Sequence, residues 1–347
     1  MTPVRLGVLG CGWIAGNRLR QIADSGLVEV VLLADPDRAA IERIRRWTPR
    51  AQHGDGVDAF RRARVDAVMI STPSAMHGEQ ALALLEHGLP LFVQKPIGLS
   101  AAEVDRVLDA AARADVPLAT DLCYRHLESS RALRAALQEQ RIGSVFLVEG
   151  CFYNAYRPGA GWAYDPKLAG GGALVDLGIH LIDLTGWLCG EHLRLADAHL
   201  RGRYGAGDVE RFALIDLVST DGAPVRLAVS WDAATGHDAE IRLRLYGELG
   251  TLELANRGGS FYDFEARLCD GPRVRRLAVD DGDAWQAGPL AGWLGRVAAG
   301  LGYREPDGVR EVAELIDEAY ALARTKRADS TAARGTVRVV GKQGVMP

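Results

Sequence analysis

The chain opens on a continuous apolar run, Val4–Gly10, of the length of one buried strand. Helical spacing follows over Ile14–Ala23, and a second apolar strand, Val28–Ala34, is closed by Asp35. The alternation continues with a polar helix over Arg38–Trp47, a strand at Val65–Ser71, an amphipathic helix over Ala75–His87 stopped by Gly88, and a strand at Leu89–Val93. Ser100, with Glu103 three residues on, forms a capping box for a helix over Ala101–Ala114, and Val116–Thr120 is a fifth strand. Short apolar strands separated by helices of about 10–15 residues predict parallel βαβ units with the sheet covered on both faces.

Beyond residue 122 the period changes. Val145–Asn154, Arg211–Ser219, Val225–Trp231, Glu240–Tyr246, Thr251–Ala255 and Phe261–Leu268 read as strands, several with clean alternation. Ile241, Leu243 and Leu245 fall on one side and Arg242 and Arg244 on the other, which predicts an antiparallel sheet with one covered face. Helical spacing remains at Ser130–Gln140, Ala173–Leu188, Trp285–Ala299 and Gly308–Arg324. The division expected is a first domain over 1–122, a second over 123–330 and a loosely held tail over 331–347, in which Val337–Val340 would add a strand. The chain has no internal repeat.

With 347 residues, 48% apolar and 25% charged, the chain has the length for two globular domains and the composition of neither a disordered nor a fibrous protein. Its 41 basic and 45 acidic residues leave a net charge of -4, with no basic surplus to hold nucleic acid or an anionic membrane. No uninterrupted apolar run approaches the roughly 18 residues of a membrane span. Val4–Gly10 reads as a strand entering a loop rather than as a signal peptide. The five cysteines are scattered without CxxC spacing, so neither a disulfide framework nor a metal site is expected, and the compartment expected is the cytoplasm. Only four of the basic residues are lysines (Lys95, Lys167, Lys326 and Lys342), so a lysine in a loop between buried elements asks for a reason.

Gly10, Gly12 and Ala15 fit G-x-G-x-x-G/A between a strand and a helix. Gly10 permits the tight turn, Gly12 admits a pyrophosphate to the backbone, and Ala15 lets helix and strand close up. The helix N-terminus offers free N–H groups to phosphate. A glycine-rich turn alone is weak evidence, but Asp35, 20 residues past Ala15, strengthens it. A carboxylate there accepts from the adenosine ribose hydroxyls and opposes a 2′-phosphate by several kcal/mol at about 4 Å and an effective dielectric near 20. NAD is therefore expected over NADP, although Arg38 works the other way. Thr72 and Pro73, at the carboxyl end of the third strand, are further candidate cofactor contacts, together with Trp13, Ile14, His77 and Gln94.

Gln94-Lys95-Pro96 follows the fourth strand at the same edge. Proline keeps Lys95 out of helical geometry, and a lysine differs from an arginine in its point charge and its readily shifted pKa. Lys95 is thus a candidate proton-handling or substrate-orienting group. The densest signal is GGGALVDLGIHLID at 170–183. At helical spacing Asp176, His180, Asp183 and Trp187 share one stripe, and a histidine flanked by carboxylates is an acid–base candidate. A solvated polar stripe with a bystander histidine would read the same; the preceding glycine triplet favours a site.

These residues together (the turn at 10–15, Asp35, Lys95-Pro96 and the 170–183 segment) resemble the Gfo/Idh/MocA oxidoreductases. The resemblance implies an α/β Rossmann domain followed by an α+β domain with an open, mainly antiparallel sheet, through which such proteins form homodimers or homotetramers. It implies oxidation or reduction of a secondary alcohol of a sugar, aminosugar or cyclitol with NAD(P), and Lys95, Asp176 and His180 as the catalytic trio. The family commonly has Glu-Lys-Pro; Gln94 keeps hydrogen-bonding capacity without the charge.

The mechanism expected is hydride transfer from a carbinol carbon, with His180, oriented by Asp176, as the base and Lys95 stabilising the alkoxide. Tyr124, Arg125, Tyr153, Trp162 and Tyr164 mix aromatic faces with hydrogen-bonding groups and are candidate substrate contacts, alongside Asp176 and His180. Two other functions fit the same residues: a glycosidase using NAD transiently for oxidation and elimination, and a non-catalytic NAD-binding regulator.

Overall fold

The first apolar run forms strand β1 (Val4–Leu9), in which Arg5 is the one exposed residue. The structure, a computed structural model, describes residues 2–159, 161–190, 192–202, 209–277 and 284–335. Parallel to β1 run β2 (Val28–Ala34), β3 (Gln52–Gly54), β4 (Ala67–Ile70), β5 (Leu91–Val93) and β6 (Leu118–Thr120), in the order β3-β2-β1-β4-β5-β6. The crossovers are α1 (Trp13–Ile22), α2 (Arg38–Ile44), α3 (Gly56–Arg62), α4 (His77–Leu85) and α5 (Ala101–Ala114). The strand order reverses between β1 and β4, so the loops leaving their carboxyl ends diverge and open a crevice there. This is the expected Rossmann-like sheet. The pair β3–α3 escaped the sequence reading because Gln52–Gly54 is a three-residue, polar edge strand without an apolar run.

The second half carries α6 (Glu128–Gln138), β7 (Val145–Asn154), α7 (Pro166–Ala169), a π-helical turn at Leu174–Gly178 and α8 (Ile179–Cys189). It continues with β8 (Arg194–Arg201), β9 (Phe212–Val218), β10 (Pro224–Ser230), β11 (Ala239–Gly247), β12 (Gly250–Asn256), β13 (Phe264–Asp270), β14 (Arg273–Leu277), α9 (Ala284–Ala298) and α10 (Val309–Gly335). The eight strands form one sheet in the order β14-β13-β12-β11-β7-β10-β9-β8, antiparallel except where β10 lies parallel to β7. Ile241, Leu243 and Leu245 point into the core, as their alternation predicts. The opposite face is charged: Arg244 and Arg267 converge on Glu253, and Arg267 and Arg276 on Glu265. Helices α6, α8 and α10 lie against the covered side. The edge strands β8 and β14 were not anticipated; Arg273–Leu277 lacks a buried face, and Val337–Val340 lies outside the described residues.

The stretch Pro166–Cys189 is long and apolar enough to cross a membrane by composition alone, and here most of it is buried inside the fold. Its register also departs from the sequence reading. The predicted continuous helix over Ala173–Leu188 contains the π turn at Leu174–Gly178, so regular α-helical winding begins only at Ile179.

One helix crosses back. Leu290, Trp293 and Leu294 of α9 are buried in one cluster with Val4, Leu6 and Phe92 of the first sheet. Trp293 packs at 5.8 Å from the Phe92 ring and donates from Nε1 to the Pro117 carbonyl at 3.2 Å. The core of the first 122 residues is therefore completed by residues from beyond position 284.

Candidate active site

Along the crevice runs a cleft of about 1430 Å³, walled on one side by the loops of the parallel sheet and on the other by β7, the π turn, α8 and the end of β10. That exceeds the roughly 300–1,000 Å³ usual for one small molecule and leaves room for a dinucleotide and a second ligand.

At one end, Gly10 has φ +88° and packs so closely on β4 that a Cβ would stand 2.6 Å from the Ser71 carbonyl. A Cβ on Gly12 would instead meet nothing within 4 Å, so the turn is tight behind and open in front. Gly12 caps α1 without a side-chain hydrogen bond, and its first amides are left for an anion. Asp35 Oδ2 accepts from the Cys11 amide at 2.7 Å and Oδ1 from the Asp37 amide at 2.8 Å, which fixes a carboxylate at the end of β2. The donor set and the cradle over Gly12 fit a dinucleotide. Trp13, Ile14, Thr72, Pro73, His77, Gln94 and Lys95 also line this cleft; Arg38 does not, and Asp37 and Arg43 stand there instead.

His77 is a strut between loops. Its ring lies 2.7 Å from both the Thr72 and the Pro96 carbonyl oxygens, joining the β4 loop to the lysine loop. Burial lowers its pKa, against the pull of the two carbonyl acceptors, which favour the protonated ring.

Lys95 reaches across the cleft to the other half. Its Nζ donates to Asp176 Oδ1 at 2.8 Å and to the Asp176 carbonyl at 2.9 Å. Trp231, just past β10 and 2% exposed, donates from Nε1 to Asp176 Oδ2 at 3.0 Å. Burial alone would raise the Asp176 pKa, but the Lys95 charge and the hydrogen bonds from Lys95 and Trp231 outweigh it and hold the carboxylate below its usual range. The π turn is itself anchored from beneath. Glu210, buried, accepts from the Gly172 amide at 3.1 Å, the Leu174 amide at 3.0 Å and the Tyr320 hydroxyl at 2.9 Å.

His180 lines the same cleft, 9% exposed, with Tyr124 edge-on at 5.1 Å between ring centroids. Asp176 does not hydrogen-bond to it: both carboxylate oxygens go to Lys95 and Trp231. Asp183 is drawn away too, into a bidentate pair with Arg125, and Trp187 stacks under Arg134 at 4.4 Å. The Nδ1 of His180 is buried and bonds to no described residue. Burial, then the nearby Lys95 charge, pushes the His180 pKa well below 6.5, against the pull of Asp176. The raised basicity expected from flanking carboxylates is thus reversed: burial outweighs the pull of Asp176, and neither carboxylate hydrogen-bonds the ring.

Of the aromatic candidates, Tyr124 and Trp162 line the cleft. Tyr153 does not: alternation along β7 turns Phe152 and Asn154 into the cleft and Tyr153 to the other face. Tyr164 lies behind, edge-on to Trp231 at 6.0 Å, with its hydroxyl donating to the Pro158 carbonyl at 2.6 Å. The Cys123 thiol, also lining the cleft, is pushed up to about 12 by burial and then by Asp121, so it is no nucleophile at neutral pH. Among the described residues no three His, Cys, Asp or Glu side chains gather as a metal site.

The sequence reading missed Trp231, Glu210 and the pair Arg18–Asp121. Arg18 did carry a signal: it sits between Ala15, Leu19 and Ile22 on the buried stripe of α1, where a charge needs a buried partner.

Residues 4–122 match the family model described as an oxidoreductase family with an NAD-binding Rossmann fold, and residues 130–253 match the GFO/IDH/MocA C-terminal domain. The chain is 30% identical over 257 residues to inositol 2-dehydrogenase 2 of Saccharopolyspora erythraea, covering 72% of this chain and 73% of that one. It is 32% identical over 191 residues to the rhizopine catabolism protein MocA of Rhizobium meliloti, a match that spans 55% of this chain and 59% of the relative. Among solved structures, a 3-ketoreductase of Actinomadura kijaniata in complex with NADP and TDP-benzene superposes with a TM-score of 0.81 at 22% identity, over 92% of this chain and 98% of that one.

Proposed function

We propose, from the premise that this chain belongs to the Gfo/Idh/MocA family of oxidoreductases, that it oxidises a secondary hydroxyl of a sugar or cyclitol with NAD, or forms one in reverse. The observation that carries this reading is the reach of Lys95 from the nucleotide-binding half to Asp176 in the other, in the cleft shared with Gly12 and His180. Gly10, Gly12 and Asp35 would hold the dinucleotide, and the nicotinamide supplies an acceptor for the hydride that leaves the carbinol carbon.

The side chains divide the remaining work. Lys95 has three N–H donors; two are used by Asp176, and the third is left for the oxygen of the reacting hydroxyl. Ionised Asp176 keeps that ammonium in place, and the ammonium offsets the charge growing on the oxygen. His180, kept neutral by burial and by Lys95, takes the hydroxyl proton, and the negative charge of Asp176 favours the imidazolium that results. In the direction of reduction His180 returns the proton and Lys95 orients the carbonyl. Tyr124, Phe152, Trp162 and Trp231 give this end of the cleft aromatic faces suited to the apolar side of a ring, in keeping with a cyclitol or free sugar. At the other end Asp37 is paired with Arg43, and a 2′-phosphate would face the Asp35 carboxylate at the end of β2, which supports NAD over NADP.

The test is a panel of cyclitols, sugars and aminosugars with NAD and with NADP, followed by the absorbance of the reduced nicotinamide. The reading expects reduction of NAD by at least one neutral polyol, faster than of NADP. Silence with every substrate, together with no oxidation of NADH by the corresponding ketones, would remove it.

A further inference from the structure

Under the floor of the cleft three polar side chains from three different connections meet in the interior. Arg18 on α1 and Asp121 after β6 are each 1% exposed, and Gln94 after β5 is 6% exposed. Arg18 donates from Nε to Asp121 Oδ2 at 2.7 Å and from Nη2 to Oδ1 at 3.0 Å, while Gln94 Nε2 donates to the same Oδ2 at 2.5 Å.

A buried ion pair adds little net stability, because desolvation offsets the attraction. What this one does is remove an ambiguity. A primary amide donates at nitrogen and accepts at oxygen, and the two ends are nearly the same in shape. Asp121 only accepts, so the NH₂ of Gln94 must turn to it, and Oε1 becomes the end left over. Gln94 lines the cleft directly before Lys95, and its Oε1 bonds to no described residue. The guanidinium of Arg18 holds Asp121 by a two-pronged contact that fixes its aim as a single hydrogen bond would not.

We propose that Asp121, braced by Arg18, is a positioning residue that locks the Gln94 amide with its carbonyl oxygen toward the nicotinamide half of the bound dinucleotide, where it accepts from a ribose hydroxyl. This rests on the oxidoreductase reading above. A carboxylate at position 94 would also accept, but it would have nothing to offer Asp121 and would stand against it charge to charge.

The experiment titrates binding of reduced dinucleotide by nicotinamide fluorescence, which needs no substrate, with thermal melting alongside. The proteins are the native chain, Gln94→Glu, Asp121→Asn and the double variant carrying both. The single variants change the net charge in opposite directions, so a simple charge effect on an anionic ligand would move them apart, whereas the double variant restores one amide and one carboxylate across the contact. Each single variant should bind about 10- to 100-fold more weakly, and the double variant within about threefold of native. Singles that bind like the native chain, or a double as weak as the worse single, would overturn the assignment. If Asp121→Asn fails to fold, Gln94→Glu is set against Gln94→Ala. Weaker binding by the carboxylate than by the truncation supports the lock; equal or tighter binding overturns it. A native chain that binds no reduced dinucleotide overturns the oxidoreductase reading and this inference with it, a result distinct from native binding with indifferent variants, which overturns this inference alone.

Discussion

The Nζ of Lys95 touches Asp176 twice, at the side-chain Oδ1 and at the backbone carbonyl, so one lysine ties the loop after β5 to the π turn of the opposite half. A compact ammonium can serve two oxygens and still present a third N–H; a planar guanidinium spreads its donors over a rigid fork and does not lose its proton. Lys95→Arg should therefore lower turnover about 100-fold or more while dinucleotide affinity changes little. Steady-state kinetics beside a binding titration decide it, and native turnover in the arginine variant would leave Lys95 only an orienting role.

Trp231 holds the other oxygen of the same carboxylate. Trp231→Phe keeps most of the packing and deletes one N–H, so Asp176 loses a donor that favours its charged form. The Asp176 pKa should move upward, and the acid limb of the kcat/KM profile should shift to higher pH. Turnover should fall about tenfold, the order of one hydrogen bond to a charged group. A profile that stays put while activity drops would assign the loss to packing alone.

His180→Ala should lower turnover about 10²- to 10⁴-fold, the usual contribution of a positioned base, and leave the glycine turn and Asp35 to bind dinucleotide as before. Near-native turnover would pass the proton to another group. Because the native imidazole is held neutral far below 6.5, its own titration should not set the fall in activity between pH 6 and 7.

Much of this site could be read from local pattern. The turn at Gly10–Ala15, Asp35 after the second strand and Lys95 before a proline are set by neighbours in sequence, and each lies in the wall or frame of the cleft. The position of Asp176 could not be read that way. Its helical spacing to His180 implied a carboxylate–imidazole hydrogen bond, and partners far along the chain decide otherwise: Glu210 and Tyr320 bind the Gly172 amide just before the π turn, and Lys95 and Trp231 take the carboxylate. Tyr153 and Phe152 show the same limit on a smaller scale, since alternation says that they face opposite ways but not which face meets the cleft. The return of α9 to the first sheet was equally hidden, because an apolar helix face does not name the surface it will cover.

Gly172 makes the cost of that π turn measurable. A Cβ there would stand 1.8 Å from the Glu210 carbonyl oxygen, which itself accepts from the Ala173 amide at 3.0 Å. Backbone cannot yield as a flexible side chain would, so Gly172→Ala should destabilise by about 3 kcal/mol or more and displace Asp176, whose amide bonds to the Gly172 carbonyl at 2.9 Å. Gly12→Ala is the contrasting case: with open space in front of it, the variant should keep the native denaturant midpoint and lose dinucleotide affinity. Equal midpoints for both variants would refute the difference in surroundings.

Stability should also decline on mild acidification, and the sign follows from two buried histidines and one half-buried. Burial is the main cause that lowers the pKa of His77, His126 and His180, with His126 lowered to about 4. In the unfolded chain all three take a proton near pH 6.5, so below that pH protons bind the unfolded state preferentially. The stabilisation is complete above pH 6.5 and is lost as the pH falls toward the folded values. For His126 alone the loss reaches about 2 kcal/mol at pH 5, at roughly 1.36 kcal/mol per unit. Asp183 acts in the opposite sense: burial raises it to about 6 despite Arg125, so the folded state binds its proton first and gains stability as the pH falls from 6 toward 4. Glu210, raised by burial, acts in the same sense as Asp183, and two carboxyls against three imidazoles leave a net decline. Urea midpoints measured from pH 8 to pH 5 should fall, and His126→Gln should flatten the slope by its share. A midpoint that rises toward pH 5 would contradict the burial of these rings.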